Sequence, residues 1–264
     1  MRSIIFVLLQ SILISNLYSQ VLNIDREGLN DSIYKPWMIS SSFALTSDKQ
    51  KNNIIDVSSN FEINRNLKNN YTIIGIIKND GVYYGKTIIQ NEGQLQLRYR
   101  DLDKRKISME SYLQYQWNGA WGMEYRKIIG SNMRFRFLEK RKADLYVAVG
   151  LFNESEKWNW QGVSKELVPI NAKDISKTVY RLNTYFKYSI KLIDKLDLST
   201  ISYIQYPLNN NILKPRWYLE SNLYVEANKH LHFLVHWDHI RDNNRYVPID
   251  KFYYSFSTGI QINY

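Results

Sequence analysis

All four histidines lie in one short segment near the C-terminal end, where their spacing suits metal or acid–base chemistry. Four residues there share one side of a predicted strand: His230, His232, His236 and Asp238. Two imidazoles two residues apart on a strand can bind one metal ion. If residues 227–229 form the preceding turn, Glu220 faces His236 as a charge pair or an acid–base couple. The simpler interpretation is a polar lining of hydrogen-bonding side chains, which alternation alone requires.

A second group of charged residues lies in the middle of the chain. Its members share one side of their predicted strands: Arg98, Arg100, Glu110, Glu124, Arg126, Arg134 and Arg136. An unpaired charge in a narrow interior is costly, so we expect a hydrogen-bonded network of mixed sign. The alternative is a constriction that selects anions, as rings of Arg and Lys do in anion pores.

The chain lacks the motifs that usually mark an enzyme. It has no Gly-x-Ser-x-Gly elbow, no phosphate-binding glycine loop and no His-Glu-x-x-His sequence. It also has no cysteine, which excludes disulfides and thiolate metal sites. We therefore predict a protein without catalytic residues, cofactor or metal.

The segment from Phe252 to Tyr264 shows what kind of element positions these residues. Its even positions are apolar apart from Thr258, and its odd positions are polar or Gly after Tyr253. Successive residues of a strand point to opposite faces, so one face suits lipid and the other a polar interior. An aromatic final residue on such a strand is typical of bacterial outer-membrane β-barrels.

The same alternation recurs along the chain and predicts about twelve antiparallel strands in a single barrel. The strand at 71–78 alternates poorly. The connections sort by length in alternate order. At one end they are short: 66–70, 101–105, 139–143, 193–195 and 227–229. The connections at the other end include every long one: 47–53, 79–86, 118–120, 156–176, 207–215 and 240–250. The one exception to the sorting is 118–120, which is a short hairpin on this side. Short periplasmic turns with longer extracellular loops are expected of an outer-membrane barrel, and a soluble β-sandwich has no reason to show this sorting.

The N-terminus predicts export. Arg2 precedes a short apolar run, and Ser19 supplies a small residue at a cleavage position. We therefore divide the chain into a signal peptide at 1–19, a periplasmic segment at 20–36 and a barrel at 37–264. The net charge of +10 would suit nucleic acid, but export makes anionic lipid the better partner. We expect contact with outer-membrane lipids and lipopolysaccharide, recognition of the C-terminal strand by the barrel-assembly machinery, and no nucleic acid.

Part of the middle of the chain resembles a bacterial family of unknown function, described as salt-induced outer-membrane proteins. The residues that carry the resemblance are Glu110, Gln114, Gln116, Arg126, Gly130, Arg134, Gly150 and Glu154. The first hairpin departs from the family, because it has Thr46 to Lys49 where a Gly-Asn pair is expected. The resemblance implies an outer-membrane barrel and brings no catalytic residues with it.

Together these patterns predict a single-domain barrel of the outer membrane with a non-enzymatic role, as a structural component or a narrow channel. Three alternatives remain open at this point. They are a pore for small anionic solutes, a barrel enzyme acting on lipid or peptide at the outer rim, and a secreted carbohydrate-binding β-sandwich. The sorted loops and the aromatic terminal strand argue against the sandwich.

Overall fold

The computed structural model describes residues 36–49, 53–67, 71–101, 106–140, 142–209, 214–228 and 231–262. The predicted signal peptide lies outside this part of the chain, as does the segment after it except for its last residue. Among the described residues, no helix is long and apolar enough to cross a membrane.

The protein is all-β, with twelve strands in one antiparallel sheet. The strands are β1 (Trp37–Lys49), β2 (Asn53–Leu67), β3 (Tyr71–Tyr84), β4 (Thr87–Asp101), β5 (Ile107–Asn118), β6 (Met123–Lys140), β7 (Ala143–Trp158), β8 (Ile175–Ile193), β9 (Leu196–Pro207), β10 (Arg216–Asn228), β11 (Leu231–Asp242) and β12 (Phe252–Ile262). Each strand pairs with its neighbours in the chain. The predicted strand number and antiparallel order are confirmed.

Burial alternates along the strands in the opposite sense to that of a soluble protein. On β5 every second residue is buried, and these residues are mostly polar. The residues between them are apolar except for Ser111, and all are exposed except for the partly buried Trp117. Arg100 and Glu110 are 0% exposed, whereas the outward Ile129 is 59% exposed. Soluble proteins almost never bury charged side chains fully unless they are paired, and they rarely show large apolar patches. The inward face of the sheet is therefore polar and enclosed, and its outward face is apolar.

Contacts between distant strands show that the sheet curls around its polar face. The Tyr185 hydroxyl on β8 donates to Glu110 on β5 over 3.0 Å. Near the other end of the sheet, the ring of Tyr253 on β12 stacks on Trp121, which follows β5, with 4.5 Å between centroids. Strands that are not neighbours in the sheet thus meet across an interior, as in a barrel. The pairing of β12 with β1 that would close the sheet stays a prediction.

The structure corrects the prediction for β3. This strand continues to Tyr84, so the predicted long loop at 79–86 is wrong and the connection is a two-residue turn at Gly85 and Lys86. Gly85 has a φ of 62°, which glycine adopts without strain. Alternation looked weak here because the inward positions include Ile74 and Ile76, both buried.

The long connections lie at one end of the sheet, as predicted. They span 159–174, 208–215 and 243–251, and each follows an odd-numbered strand. The predicted loop at 156–176 is shorter at both ends, because β7 continues to Trp158 and β8 begins at Ile175. We call this the long-loop end and the opposite one the short-turn end, where β8 and β9 are joined only by Asp194 and Lys195.

Candidate functional site

Two glycines make room for large side chains in the interior. Gly130 on β6 lies beneath the Tyr112 hydroxyl, which would be 2.8 Å from an added methyl group. Gly150 on β7 lies against Asn132, whose side chain would overlap such a methyl group. Both glycines belong to the motif identified in the sequence. The interior is thus tightly packed around Gly130 and Gly150.

The first of two charge clusters surrounds Glu110, near the short-turn end. One carboxylate oxygen accepts from Asn132 Nδ2 at 2.8 Å and from the Tyr185 hydroxyl at 3.0 Å. The other is 3.4 Å from Arg100 Nε and 4.0 Å from Arg134 Nε. One buried carboxylate thus joins three neighbouring strands to the opposite wall. This cluster is called the Glu110 cluster below.

Glutamine side chains on β4 and β5 form hydrogen bonds that extend to Arg126, whose Nη1 donates to Gln116 Oε1 at 3.3 Å. Gln96 donates from Nε2 to Gln114 Oε1 at 3.1 Å, and Gln116 donates likewise to Gln94 at 3.4 Å. Arg98 donates from Nη2 to Gln96 Oε1 at 3.3 Å. Buried amides of this kind hold β4 and β5 together through side chains as well as through the backbone.

The second cluster surrounds Glu154, near the long-loop end, and is called the Glu154 cluster. Arg126 and Arg181 both contact the Glu154 carboxylate. Arg216 donates from Nη1 to Glu154 Oε1 at 2.7 Å and from Nη2 to Glu156 Oε1 at 3.2 Å. Hydrogen bonds from a guanidinium to a carboxylate are charge-assisted and belong to the strong class of protein hydrogen bond.

The Glu154 cluster also includes Asp242, the last residue of β11, and Arg245, in the loop after β11. Arg216 Nε donates to Asp242 Oδ2 at 2.8 Å, and Arg245 Nε lies 3.9 Å from the same oxygen. The cluster therefore contains four guanidinium groups and three carboxylates. It carries an excess of one positive charge when all are ionised.

Apolar residues from the loops cover the Glu154 cluster. Met123, Trp158, Val163 and Val247 form a buried group, with Tyr246 packed against it. The Arg245 guanidinium lies 4.5 Å from the centroid of the Trp121 ring and 5.4 Å from that of Tyr253. Burial raises the pKa of Tyr246 to about 12, and the nearby Glu156 adds to this rise. The 243–251 loop thus acts as a lid over the charged interior.

The structure separates the seven charged residues that the sequence grouped. Five are buried in the interior: Arg98, Arg100, Glu110, Arg126 and Arg134. The other two lie near irregular pairings of β6 with β7, which occur between Met123 and Tyr125 and between Arg136 and Leu138. Glu124 instead contacts Lys157 Nζ at 2.7 Å, and Arg136 contacts Asp144 at 3.0 Å, both in partly exposed pairs.

The predicted register of the histidine segment is wrong. Asn222, not Glu220, faces His236, and Glu220 faces Asp238. The main reason is that β10 continues to Asn228 and β11 begins at Leu231, so the predicted turn at 227–229 is wrong. An irregularity between Glu226 and Asn228 then shifts the pairing by one residue. His236 Nδ1 is 2.7 Å from Asn222 Oδ1, and Nε2 is 3.0 Å from Asp238 Oδ1. His230 and the side chain of His232 lie outside the described part of the protein. Among the described residues no group of three or more His, Cys, Asp or Glu is placed to hold a metal ion.

Several residues of the Glu154 cluster were not found from the sequence. Glu156 was assigned to a loop. Arg181 lies within β8, Arg216 and Asp242 lie at strand ends, and Arg245 lies in a loop. Arg181 and Arg216 each lie an even number of residues from buried positions further along their strands. Alternation could therefore have predicted that both face inward. Arg245 has no such signal, because its position depends on how the lid folds back.

One wall of the interior remains partly exposed. Inward positions on β2, such as Ser58 and Glu62, and the second half of β10, such as Asn222, are only half-buried. The charged inward residues on this wall are acidic: Asp56, Glu62 and Glu226. The accessible part of the interior thus differs in charge from the buried arginines opposite.

Comparison with solved structures returns barrels of low sequence similarity. A NanC porin is 8% identical, covers 79% of this chain and 94% of its own, and has a TM-score of 0.45. The translocator domain of the autotransporter NalP from Neisseria meningitidis is 13% identical, covers 89% of this chain and 90% of its own, and has a TM-score of 0.41. No protein-family model and no curated protein matches the chain, so the resemblance to the salt-induced family stays a prediction.

Proposed function

We propose that this protein is a non-enzymatic β-barrel of the bacterial outer membrane whose interior is closed mainly by its own side chains. The inverted burial pattern carries the proposal: Arg100, Glu110 and Arg181 are 0% exposed, whereas apolar side chains cover the outward face. Only a lipid environment makes such an outward face stable. A closed sheet satisfies every backbone group within the membrane.

The outward aromatic residues support a membrane position. Trp217, Trp237, Phe252 and Tyr254 cluster on the outward side, towards the long-loop end of β10 to β12. Aromatic girdles of this kind occur at the interfaces of outer-membrane barrels. We infer that lipid and lipopolysaccharide surround this rim, and that the assembly machinery recognises β12.

The packing of the interior favours a structural role over a wide pore. The largest fully buried side chains include Arg100, Tyr185, Tyr203, Tyr218 and Gln205, all on inward positions. A water-filled channel beside them would leave them exposed. The anion-pore alternative loses its main support, because four of the five arginines that suggested it, all except Arg136, are buried.

A narrow pathway along the partly exposed wall is the second candidate function. The half-buried inward positions on β2 and β10 favour it. Because Asp56, Glu62 and Glu226 are the charged groups there, such a pathway would prefer small cations. The enzyme alternative has no comparable support, since both ring nitrogens of His236 already have partners.

Cell fractionation and planar-bilayer recording test these proposals together. The protein should fractionate with the outer membrane and migrate faster on gels before heating than after. Reconstituted protein should show either no steady conductance or a small one with cation preference. Recovery in the soluble periplasm without detergent would refute the membrane proposal, and a large anion-selective conductance would refute the closed interior.

A further inference from the structure

A groove of about 740 Å³ crosses the outward face of the sheet from β2 to β7. It lies between two rows of outward residues, which the strand pairing places side by side. The first row begins at Phe61 on β2 and ends at Ser155 on β7. The second row begins at Ile63 and ends at Asn153, and it includes Gly75, which has no side chain to fill the space. The outward face therefore offers a long recess on this side of the sheet.

The two ends of the groove differ in chemistry. The outward side chains that line it on β2, β3 and β4 are all apolar: Phe61, Ile63, Ile77, Leu95 and Leu97. On β6 and β7 the lining includes Lys127, Asn153 and Ser155 instead. Thr178 on β8 extends this polar end, because its hydroxyl donates to Ser155 Oγ over 3.3 Å. One end therefore suits a hydrocarbon chain, and the other suits a polar group that carries negative charge.

The groove runs from the middle of the strands towards the long-loop end. Phe61 lies eight residues from Asn53, at the long-loop end of β2. Lys127 lies only four residues from Met123, at the long-loop end of β6. A lipid in the leaflet on that side has the same direction, since its headgroup lies at the membrane surface and its acyl chains reach towards the midplane.

Lys127 is the charged outward residue that lies furthest from a strand end among the described strands. The others are within two residues of an end, as Arg65, Lys157 and Arg241 are. Lys127 Nζ lies 4.8 Å from the centroid of the Tyr125 ring, which is two residues nearer the long-loop end, so its side chain extends towards that rim. A lysine facing lipid is costly near the midplane and tolerated where its ammonium group reaches the interface. A lipid phosphate there would supply the opposite charge.

We propose that this groove binds lipopolysaccharide, with one acyl chain along its apolar part and a phosphate of the glucosamine headgroup on Lys127. Asn153, Ser155 and Thr178 form hydrogen bonds with the phosphate and with the sugar hydroxyls. The inference rests on the proposed outer-membrane function, which places the long-loop end in the outer leaflet, where lipopolysaccharide is the anionic lipid. The site is on the opposite side of the protein from the outward aromatic cluster on β10 to β12, and it does not involve the interior.

The test is a titration of the refolded full-length protein in a neutral detergent. The probes are deep-rough lipopolysaccharide, the same lipid after removal of its phosphates, and phosphatidylglycerol. The thermal unfolding midpoint, followed by loss of the fast-migrating band, should rise with the intact lipopolysaccharide and then saturate. A flat response to it would overturn the site. An equal response to the dephosphorylated lipid would overturn the role of Lys127, and an equal response to phosphatidylglycerol would overturn the assignment to lipopolysaccharide.

Variants locate the binding in the groove. Lys127→Gln should raise the half-saturating concentration about tenfold, since a charged hydrogen bond to the phosphate is lost. Leu97→Trp should weaken binding similarly, because the larger outward side chain fills the apolar part of the groove. Arg65→Gln is the matched control and should change nothing, because this outward cation lies over the Trp37 ring near the short-turn end. Unchanged binding in both groove variants would refute the site.

The same experiment separates this site from the membrane proposal on which it rests. The three variants and the wild-type protein should all give the fast-migrating band in neutral detergent without lipopolysaccharide, because each change lies on the outward surface. A folded protein that ignores lipopolysaccharide would contradict the site alone. Sedimentation should show a monomer, and a dimer that lipopolysaccharide does not dissociate would overturn the site in favour of a second copy of the chain.

Discussion

Buried charge is tolerated in this protein because each carboxylate is shared. Glu154 contacts Arg126, Arg181 and Arg216, which reach it from three different strands. Removing one partner leaves the others in place, but part of the Glu154 charge then lacks a partner at a site that is only 1% exposed. The loss of stability on replacing an arginine should therefore depend more on its buried carboxylate partners than on its position in the interior alone.

Replacing Arg126 with Met should lower the free energy of unfolding by about 3 kcal/mol, the range seen when one partner of a buried pair is removed. Its contacts with Glu154, Glu156 and Gln116 are all lost. Urea unfolding of the refolded protein, followed by tryptophan fluorescence, measures the change.

Arg136→Met is the matched control. Its side chain is 14% exposed, and that of its partner Asp144 is 30% exposed, so solvent screens the pair. The loss should stay under about 1 kcal/mol. Equal losses in the two variants would show that Arg126 is not held in an enclosed network.

Gly150 gives a steric test at the same scale. A methyl group there would overlap the carbonyl oxygen of Ser131 and the side chain of Asn132. Because backbone cannot move aside cheaply, Gly150→Ala should destabilise the protein by about 1–3 kcal/mol or prevent refolding. Gly119→Ala, whose new methyl group would be 3.4 Å from the Asn91 carbonyl oxygen, should refold normally and serves as the control. Normal stability of Gly150→Ala would contradict the packed interior.

At the scale of single strands, alternation predicted the elements well where the inward residues are charged or amide-bearing. β5 is the clearest case, with Glu110, Gln114 and Gln116 inward. β3 was harder, because Ile74 and Ile76 face inward and pack with the buried polar residues. The register of β10 with β11 was not predicted, since the strands run closer together than expected, to Asn228 and from Leu231, and the irregularity near Glu226 leaves no mark in the sequence.

The 159–174 loop carries a prediction about which end faces outward. Trypsin added to intact cells should cut at Lys165 or Lys173, both exposed on this loop. Lys195, in the two-residue turn at the opposite end, should be cut only after the outer membrane is permeabilised. Cleavage in the reverse order would invert the proposed topology.

At the scale of the whole molecule, two exposed isoleucines distinguish a membrane protein from a soluble one. Ile129 lies on the outward face of β6, and Ile170 is in the 159–174 loop. In a membrane, Ile129→Arg should cost roughly 2–4 kcal/mol near the midplane and reduce the assembled protein. Ile170→Arg should assemble at wild-type levels, because the loop is in water. Heat-modifiable mobility of the membrane fraction measures both, and equal tolerance of the two changes would argue for a soluble sheet.

The general architecture could be predicted from the sequence because an apolar outward face and a polar interior impose opposite demands on alternate residues. The Glu154 cluster could be predicted only in part. Arg245 contacts the cluster only because of how its loop folds. Glu124, predicted to face inward with the other charged residues, lies at an irregular pairing and forms a partly exposed pair instead. Alternation gives the face of a residue, whereas the partners of that residue depend on register and on loop geometry.

The irregular pairings described above have a consequence for how this gene can change in length. Among the described strands they occur near strand ends, as at Val82 and Tyr83, Gln116 and Asn118, and Lys191 and Ile193. A one-residue insertion in the middle of a strand would turn every following inward residue of that strand to the outward, apolar face. Near an end, a bulge absorbs the extra residue. Insertions and deletions should therefore be tolerated near the strand ends and in the loops. In the middle of a strand, only the insertion or deletion of two residues at once should be tolerated, because it preserves the alternation.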